Sequence, residues 1–327
     1  MSGPGAGTHA ACVSDTSCPR RSTPPPSCSP RPSRPSRPGS RHCGSDHYHP
    51  WVDAQGQSPF VWSTIGALSQ VCTLPVTTAV TCPTTRIHPA VLAQAAATSA
   101  VLHEGRFVLG VGSGEALNEQ ILGDDWPEAD VRLEMLEEAV AVMRELWQGG
   151  VVSHRGPHFT VRNARLYTLP DTPPPVYVSA FGPKAVDLAG RIGDGYVCTM
   201  PDADLVKGFR ESGGGDKPAQ GGFKAAFAGT ADEGADIAFE KWPNAAVPGE
   251  LSQILPTPKH FEQASQLATK EKVAEAFVCG NDPEAHLEMI DRYAQAGFDE
   301  VYVANTGPHY EGLFDLYASA VLPKLRR

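Results

Sequence analysis

The sequence has no long apolar run and no metal-binding or disulfide pattern of cysteines. Its 327 residues contain no stretch near the roughly 18 apolar residues that a membrane span requires. The N-terminus lacks the apolar core of a signal peptide. The eight cysteines include no C-x-x-C pair, which argues against a zinc site and a disulfide framework. We therefore expect a cytoplasmic protein without a metal site.

Large aliphatic side chains are almost absent from residues 1–43. This segment holds nine Pro, nine Ser and six Arg, and Val13 is its only aliphatic residue larger than Ala. Such a composition cannot offset the entropy of ordering the chain, so we expect disorder over residues 1–43. Pro, Arg, Ser, Gly, Ala and Cys are also typical of GC-rich codons read out of frame. We therefore hypothesise that the reading frame is displaced before about residue 44.

Basic residues are in the minority in the rest of the chain. Residues 44–327 carry 21 Lys and Arg against 36 Asp and Glu. A phosphate backbone is bound mainly by clustered Lys and Arg, so this acidic balance argues against nucleic acid as the main partner. We expect a small-molecule partner instead.

Strand-like and helix-like segments alternate from residue 60 to the C-terminus. Apolar runs such as 71–80 and 106–115 alternate with helical patterns of about 10–18 residues, the clearest of which is capped by Asp130. Regular alternation predicts a parallel sheet covered by helices, and the length favours a TIM (β/α)₈ barrel. Residues 229–280, rich in Pro and Gly, are predicted to form an irregular insert of the size of an active-site lid.

The glycine turn "GVGSGE" (110–115) suggests nucleotide binding at first sight. It lacks the third glycine of the dinucleotide fingerprint, and Asp130, the acid about 20 residues later, begins a helix instead of ending a strand. We therefore expect its glycines to let a flat ring lie against the backbone. Glu115 either faces that ring or is a solvated carboxylate at a helix start.

"SDHYHPW" (45–51) places two histidines close to an acid. His47 and His49 alternate, so on a strand they would face opposite sides, and no third ligand accompanies them. His47 beside Asp46 suits a general base, because a carboxylate can fix the tautomer of an imidazole that titrates near neutrality. The alternative is a hydrogen-bonded core histidine.

"SAFGPKAV" (179–186) ends a strand and opens a helix at Gly182 and Pro183. The free N–H groups of such a helix start can bind an anion, with Lys184 close by. Helix capping alone would explain the same residues.

Together these motifs resemble the luciferase-like (β/α)₈ family, and within it the coenzyme F420-dependent dehydrogenases. The resemblance covers about residues 44–327. Its most specific segments, in chain order, are "SDHYHPW", "TCPTTRIHPAVLAQAAAT", "RFVLGVGSGEALNE", "RLEMLEEAVAVMRELW", "AGRIGDGY" and "AGFDEVYV".

The resemblance implies a deazaflavin cofactor at the barrel mouth and hydride transfer to or from a substrate carbinol carbon. It implies that His47 is the base for the hydroxyl proton, Trp51 a wall beside the reacting pair, and Glu115 the acid at the ring nitrogen. It further implies a non-proline cis peptide between Ala79 and Val80. The residues that it implies to hold the cofactor are Asp46, Ala79, Val80, Cys82, Gly112, Ser113, Gly114, Asn118, Ser179, Ala180, Phe181, Gly182 and Thr199.

The same resemblance sets limits on the substrate. Asp202, Ser252 and Ala276 align with the positions where sugar-phosphate dehydrogenases place phosphate-binding cations. We therefore expect an alcohol or carbonyl substrate other than glucose 6-phosphate. The alternatives are an FMN-dependent monooxygenase of the wider family and an inactive remnant.

The family comparison also bears on the N-terminus and on assembly. Family members reach the segment matching residues 45–47 through a first strand, a first helix and most of a second strand. Residues 1–43 lack the apolar pattern of these elements, so the resemblance implies a barrel without its first strand–helix unit. Separately, the resemblance implies that the protein assembles as a homodimer.

Overall fold

The computed structural model describes residues 10–15 and 42–325 of the chain. Eleven strands are found in these residues. Their bounds are β1 Ala10–Asp15, β2 His42–Gly44, β3 Val76–Thr78, β4 Phe107–Val111, β5 Val152–Arg155, β6 Thr160–Ala164, β7 Val176–Ser179, β8 Gly195–Cys198, β9 Ala219–Ala226, β10 Phe277–Cys279 and β11 Glu300–Asn305.

Nine of these strands form one parallel sheet that curves into a barrel. The spatial order is β1, β11, β9, β8, β7, β4, β3, β2, and β10 pairs with the end of β9. The two ends of this order, β1 and β2, lie next to each other, so the sheet nearly closes on itself. This architecture confirms the predicted parallel α/β barrel. The remaining strands, β5 and β6, form a separate antiparallel hairpin.

Helices lie between most of the consecutive barrel strands and cover the outside of the barrel. Their bounds are α1 Val61–Leu68, α2 Pro89–Leu102, α3 Ala116–Glu119, α4 Ala129–Leu146, α5 Pro183–Ile192, α6 Ala203–Phe209, α7 Ala231–Lys241, α8 Leu251–Ile254, α9 Pro258–Ser265, α10 Lys270–Ala274, α11 Pro283–Gln295, α12 Tyr310–Leu316 and α13 Leu322–Leu325. None of the helices in the described part of the chain has the length and apolarity to cross a membrane.

Residues 10–15 differ from the expected disorder of the first 43 residues. They form β1, which pairs in parallel with β11 and brings Val13 opposite Val303. The edge of β11 carries N–H and C=O groups that need partners, and this short segment supplies them through its main chain. The helix of the predicted missing unit, and most of the segment proposed to be out of frame, lie outside the described residues.

Side chains on successive positions of β4 point in opposite directions and form two layers of the core. Phe107, Leu109 and Val111 join the large cluster between sheet and helices. Val108 faces the barrel interior, where it packs with Tyr177 and Tyr302. These buried side chains fill part of the barrel interior.

Two sequence predictions need correction. Helix α4 begins at Ala129 with Glu128 at its N-cap, so Asp130 lies inside the first turn and is not the cap. The insert at 229–280 is not irregular, because it contains α7 to α10 and β10. Thr230 and Glu233 form a reciprocal capping box that starts α7.

Gly110 and Gly66 give a matched pair for testing the fold. A Cβ on Gly110 would lie 1.9 Å from the main-chain oxygen of Thr78, which cannot move without separating β3 from β4. We expect Gly110→Ala to lower the free energy of unfolding by about 3 kcal/mol or more. Gly66 lies inside α1 with open space around it, so Gly66→Ala should raise that energy by about 0.5–1 kcal/mol. Urea unfolding of both variants measures this, and equal effects would contradict it.

Candidate active site

The predicted site residues follow five neighbouring strands at the ends where these strands finish. Strands β2, β3, β4, β7 and β8 are adjacent and parallel, so their carboxyl ends lie at one edge of the barrel, its mouth. The residues that follow them are Asp46 to Trp51, Ala79 to Cys82, Gly112 to Asn118, Ser179 to Gly182, and Thr199. All the predicted site residues therefore lie at the barrel mouth.

The amide of Asn118 joins the two predicted proton-handling side chains. Its Nδ2 atom lies 3.1 Å from His47 Nδ1 and 3.3 Å from Glu115 Oε2. Its Oδ1 atom accepts hydrogen bonds from the main-chain N–H groups of Tyr48 and His49, at 2.9 and 3.0 Å. His47 and Glu115 are thus held on one buried amide.

His49 lies on the same loop but has a different environment. Its Nδ1 atom is 3.0 Å from the main-chain oxygen of Leu117. Residues 45–50 form a loop after β2, so the expectation that His47 and His49 face opposite sides of a strand is wrong. Both histidines instead contact the segment that leads into and through α3.

Trp51 stands beside His47 and is supported by the insert. The two ring centroids are 5.2 Å apart. The Trp51 ring also makes a T-shaped contact with Phe261 from α9, at a centroid distance of 4.9 Å. Phe261 packs with Val52 and Leu117 in a small buried cluster. The insert therefore fixes the orientation of the aromatic wall of the mouth.

A buried ionic group that the sequence analysis missed lies next to these residues. Arg86 Nη2 is 2.9 Å from Asp46 Oδ1, and Arg86 Nε is 3.5 Å from Glu119 Oε1. Glu119 also accepts a hydrogen bond from the main-chain N–H of Arg86 at 2.9 Å. All three side chains are almost fully buried. Arg86 is 40 residues from Asp46 and 33 from Glu119 in the sequence, so no local pattern indicated these contacts.

Burial and mutual contacts change the pKa values of Glu119 and Arg86. Burial raises the pKa of the Glu119 carboxyl to about 7, although Arg86 acts in the opposite direction. Burial also acts to lower the pKa of the Arg86 guanidinium, but Asp46 and Glu119 outweigh it and the pKa rises. Arg86 therefore stays charged between two carboxyl groups.

Asp46 does not fix the tautomer of His47, contrary to expectation. Its two carboxylate oxygens meet the Arg86 guanidinium and the hydroxyl of Thr81, which donates at 3.0 Å. The Nδ1 atom of His47 contacts Asn118 instead. Asp46 thus joins the loop after β2 to the loop after β3.

The glycines of the turn at 112–114 pack against protein atoms. A Cβ on Gly114, whose φ is +76°, would lie 2.6 Å from Cys82 Sγ. A Cβ on Gly112 would lie 2.9 Å from Val80 Cγ2 and 3.6 Å from Ser179 Cβ. Burial, reinforced by Glu119, raises the pKa of the Cys82 thiol, so Cys82 is a neutral packing residue.

The remaining residues predicted to hold the cofactor follow β3, β4, β7 and β8, and most of them have small side chains. The Ala79–Val80 peptide is cis, as predicted. Ala180 is buried, and its main-chain oxygen accepts a hydrogen bond from Tyr196. The main-chain oxygen of Thr199 similarly accepts from Tyr293. Ser113, Phe181 and Gly182 lie on the loops after β4 and β7.

Lys184 and the three positions that align with phosphate-binding cations all lie in helices or next to helix ends. Lys184, in the first turn of α5, has its ammonium group 2.7 Å from the Asp130 carboxylate of α4 at the surface. Asp202 caps α6 by accepting from the N–H groups of Asp204 and Leu205. Ser252 lies in α8, and Ala276 follows α10.

Lys224 on β9 is a second residue that the sequence analysis missed. Its ammonium group lies 5.2 Å from the centroid of the Trp242 ring and 5.8 Å from that of Phe277. Burial lowers its pKa. A lysine within the otherwise apolar segment "FKAAFA" was the available signal.

The buried Glu119 gives a pH prediction. Its pKa is higher in the folded protein than its ordinary value of 4.5, so the folded state binds more protons than the unfolded state between these values. Stability should therefore fall as pH rises from about 4.5 to about 7, by an amount on the order of 1–3 kcal/mol. We expect Glu119→Gln to remove this part of the pH dependence in urea unfolding.

The control for this measurement is Glu137→Gln. Glu137 pairs with Arg191 at the surface, where both side chains are about half exposed. This variant should keep the pH dependence of the parent protein. A Glu119→Gln variant whose unfolding energy still falls over the same pH interval would show that Glu119 is not its source.

Comparisons with known proteins agree with this geometry. The chain is 35% identical to the F420-dependent glucose-6-phosphate dehydrogenase of Microbacterium testaceum, with 86% of this chain and 88% of that protein aligned. It is also 35% identical to the F420-dependent hydroxymycolic acid dehydrogenase of Mycobacterium tuberculosis, over 86% of this chain and 79% of that protein.

A solved structure supports the same relationship. The structure of an F420-dependent secondary alcohol dehydrogenase in complex with an F420–acetone adduct superimposes with a TM-score of 0.79 at 30% identity, covering 88% of this chain and 90% of that one. Residues 44–212 match the family described as luciferase-like monooxygenase. The chain is therefore a luciferase-like (β/α) barrel protein and belongs to the luciferase-like monooxygenase family.

Proposed function

We propose that this oxidoreductase uses coenzyme F420 and transfers a hydride between the coenzyme and a hydroxyl or carbonyl substrate. The observation that carries the proposal is the arrangement of His47, Asn118 and Glu115 beside Trp51 at the barrel mouth. Oxidation of an alcohol or reduction of a carbonyl requires a proton-handling group at the substrate oxygen next to a hydride-carrying ring. Relatives at 30–35% identity are named as F420-dependent dehydrogenases.

The residues at the mouth suit a flat tricyclic ring. The loops after β3, β4 and β7 offer the small side chains of Ala79, Ser113 and Ala180 to such a ring, while Gly112 packs against Val80. Helix α5 begins directly after Gly182 at this edge, and its first N–H groups lack partners within the helix, which suits a phosphate group. When bound, F420 supplies a deazaflavin ring that takes up or gives back a hydride.

The side chains of this chain have separate tasks in the proposed reaction. His47 contacts the substrate oxygen and handles its proton. Trp51, supported by Phe261, closes one side of the substrate position and excludes water. With F420 bound, Glu115 would be the acid at the ring nitrogen. Arg86 holds the loops that carry Asp46 and Asn118 in register through its two buried carboxyl partners.

The proposed substrate class excludes sugar phosphates. The Asp202 carboxylate stays next to the end of β8 because it caps α6 with two hydrogen bonds. A dianionic phosphate needs several fixed cations or N–H donors, and a negative charge here opposes it. The homodimer and the cytoplasmic location expected from the sequence remain predictions.

Cofactor choice can be measured directly by titrating the full chain with F420 and with FMN and following ligand fluorescence. We expect tight binding of F420 and weak binding of FMN. His47→Ala should reduce turnover at least about 100-fold while F420 affinity changes little, because the imidazole meets the substrate rather than the ring. Glu115→Gln should also lower the rate.

His158→Ala serves as the matched control for His47→Ala. His158 lies next to the β5–β6 hairpin and pairs with Glu134 of α4, so its loss should leave turnover unchanged. Preferential FMN binding with oxygen consumption would support the monooxygenase alternative and contradict the proposal. Near-normal kcat in His47→Ala would remove His47 from its proposed role.

A substrate panel tests the proposed class, with F420 reduction or oxidation as the readout. We expect neutral alcohols and carbonyl compounds to react with a kcat/KM at least about tenfold above that of glucose 6-phosphate. Efficient oxidation of the sugar phosphate in preference to neutral compounds would show that Asp202 does not lie where the substrate binds.

A further inference from the structure

The Asn118 side chain has no hydrogen-bonding capacity left for a ligand. A carboxamide oxygen has two lone pairs, and its nitrogen has two N–H donors. The oxygen accepts from the N–H groups of Tyr48 and His49, and the nitrogen faces His47 and Glu115. The role in holding the cofactor that the sequence resemblance implied for Asn118 therefore does not fit its contacts.

The orientation of this amide follows from its main-chain partners. The N–H groups of Tyr48 and His49 can only donate, so the Asn118 atom that they both meet must be the oxygen. The Nδ2 group, a donor, is then the atom that faces His47 Nδ1 at 3.1 Å. A donor at this distance requires a lone pair on His47 Nδ1. In neutral imidazole the hydrogen is then on Nε2.

We propose that Asn118 is a positioning residue that holds neutral His47 in the tautomer with its hydrogen on Nε2, so that the resting site receives a carbonyl substrate. The Nε2–H group donates a hydrogen bond to a carbonyl oxygen and polarises it, as a neutral histidine does in triosephosphate isomerase. An alcohol would need a lone pair on Nε2, which requires hydrogen on Nδ1 opposite the Asn118 donor. The base role of His47 thus belongs to the disfavoured tautomer.

This inference rests on the proposed function for the identity of the ligand, but the tautomer does not depend on it. The tautomer is measured without cofactor or substrate, by ¹⁵N NMR of the full chain labelled at histidine. The His47 signals are assigned by their loss in His47→Gln. We expect Nδ1 to show the shift of an unprotonated ring nitrogen and Nε2 that of a protonated one.

The variant Asn118→Asp tests whether the Asn118 amide determines the tautomer of His47. The new carboxylate keeps an oxygen for the N–H groups of Tyr48 and His49 but replaces the donor at His47 by an acceptor. We expect the hydrogen to move to Nδ1 in the NMR spectrum. In turnover, KM for a carbonyl substrate should rise about tenfold while KM for the corresponding alcohol falls. If Asn118 had a purely structural role, the variant would raise KM for both substrates together or lower kcat alone.

Two further variants keep the test decisive. Asn163→Asp makes the same chemical change on β6, where Asn163 contacts Ser153 at the surface, and should leave the His47 signals unchanged. Asn118→Ser removes the donor without adding a charge beside Glu115, and should give a mixture of tautomers. Circular dichroism and thermal unfolding check that each variant folds.

The outcomes separate this inference from the proposed function. A protein with hydrogen on Nε2 that fails to bind F420 would support the tautomer and contradict the function. A protein that turns over F420 but carries hydrogen on Nδ1 in the resting state would overturn the inference. Unchanged His47 signals in Asn118→Asp would also overturn it.

Discussion

One buried guanidinium joins the loops on which the site depends. Arg86 follows β3, its partner Asp46 follows β2, and its other partner Glu119 ends α3 after β4. The guanidinium and the Asp46 carboxylate are paired at short range, and removal of one charge would leave the other buried without compensation. His47 is the next residue after Asp46, and Asn118 is the residue before Glu119. The ion group therefore sets the distance between the imidazole and the amide that orients it.

Much of the barrel was predictable because its strands are short apolar runs with polar ends. The segments around β4, β7, β8 and β11 and the helices after them follow from hydrophobic periodicity and glycine or proline boundaries. The insert was harder, because its Pro and Gly content suggested a loop. The Thr230–Glu233 capping box is a local signal for the start of α7, although the composition around it is typical of a loop. Strand β1 carried no such signal, because its pairing depends on the edge of β11, nearly 300 residues away.

In the site, the positions of residues could be predicted from local sequence, whereas their contacts with distant residues could not. The positions of His47, Trp51 and Glu115 at strand ends could be read from the sequence, and so could the cis peptide through the family resemblance. The partners of these residues could not. Composition does not reveal that Asp46 pairs with Arg86, or that Asn118 contacts His47, because each pair forms only when separate strands come together. The sequence alone therefore predicts such residues at the cofactor without showing their protein contacts, and their roles toward the cofactor remain predictions.

The contact between Trp51 and Phe261 joins two parts of the molecule whose sequences are under different constraints. Trp51 belongs to the loop after β2, whereas Phe261 belongs to a helix of the insert, more than two hundred positions later. The proton-handling residues rest on the strand ends and on the buried ions, and the insert reaches the mouth through this aromatic wall. Exchange or reshaping of the insert can therefore change the shape offered to the substrate while the redox machinery is preserved. A single barrel could in this way be adapted to new alcohols and carbonyl compounds by changes in one segment of the gene.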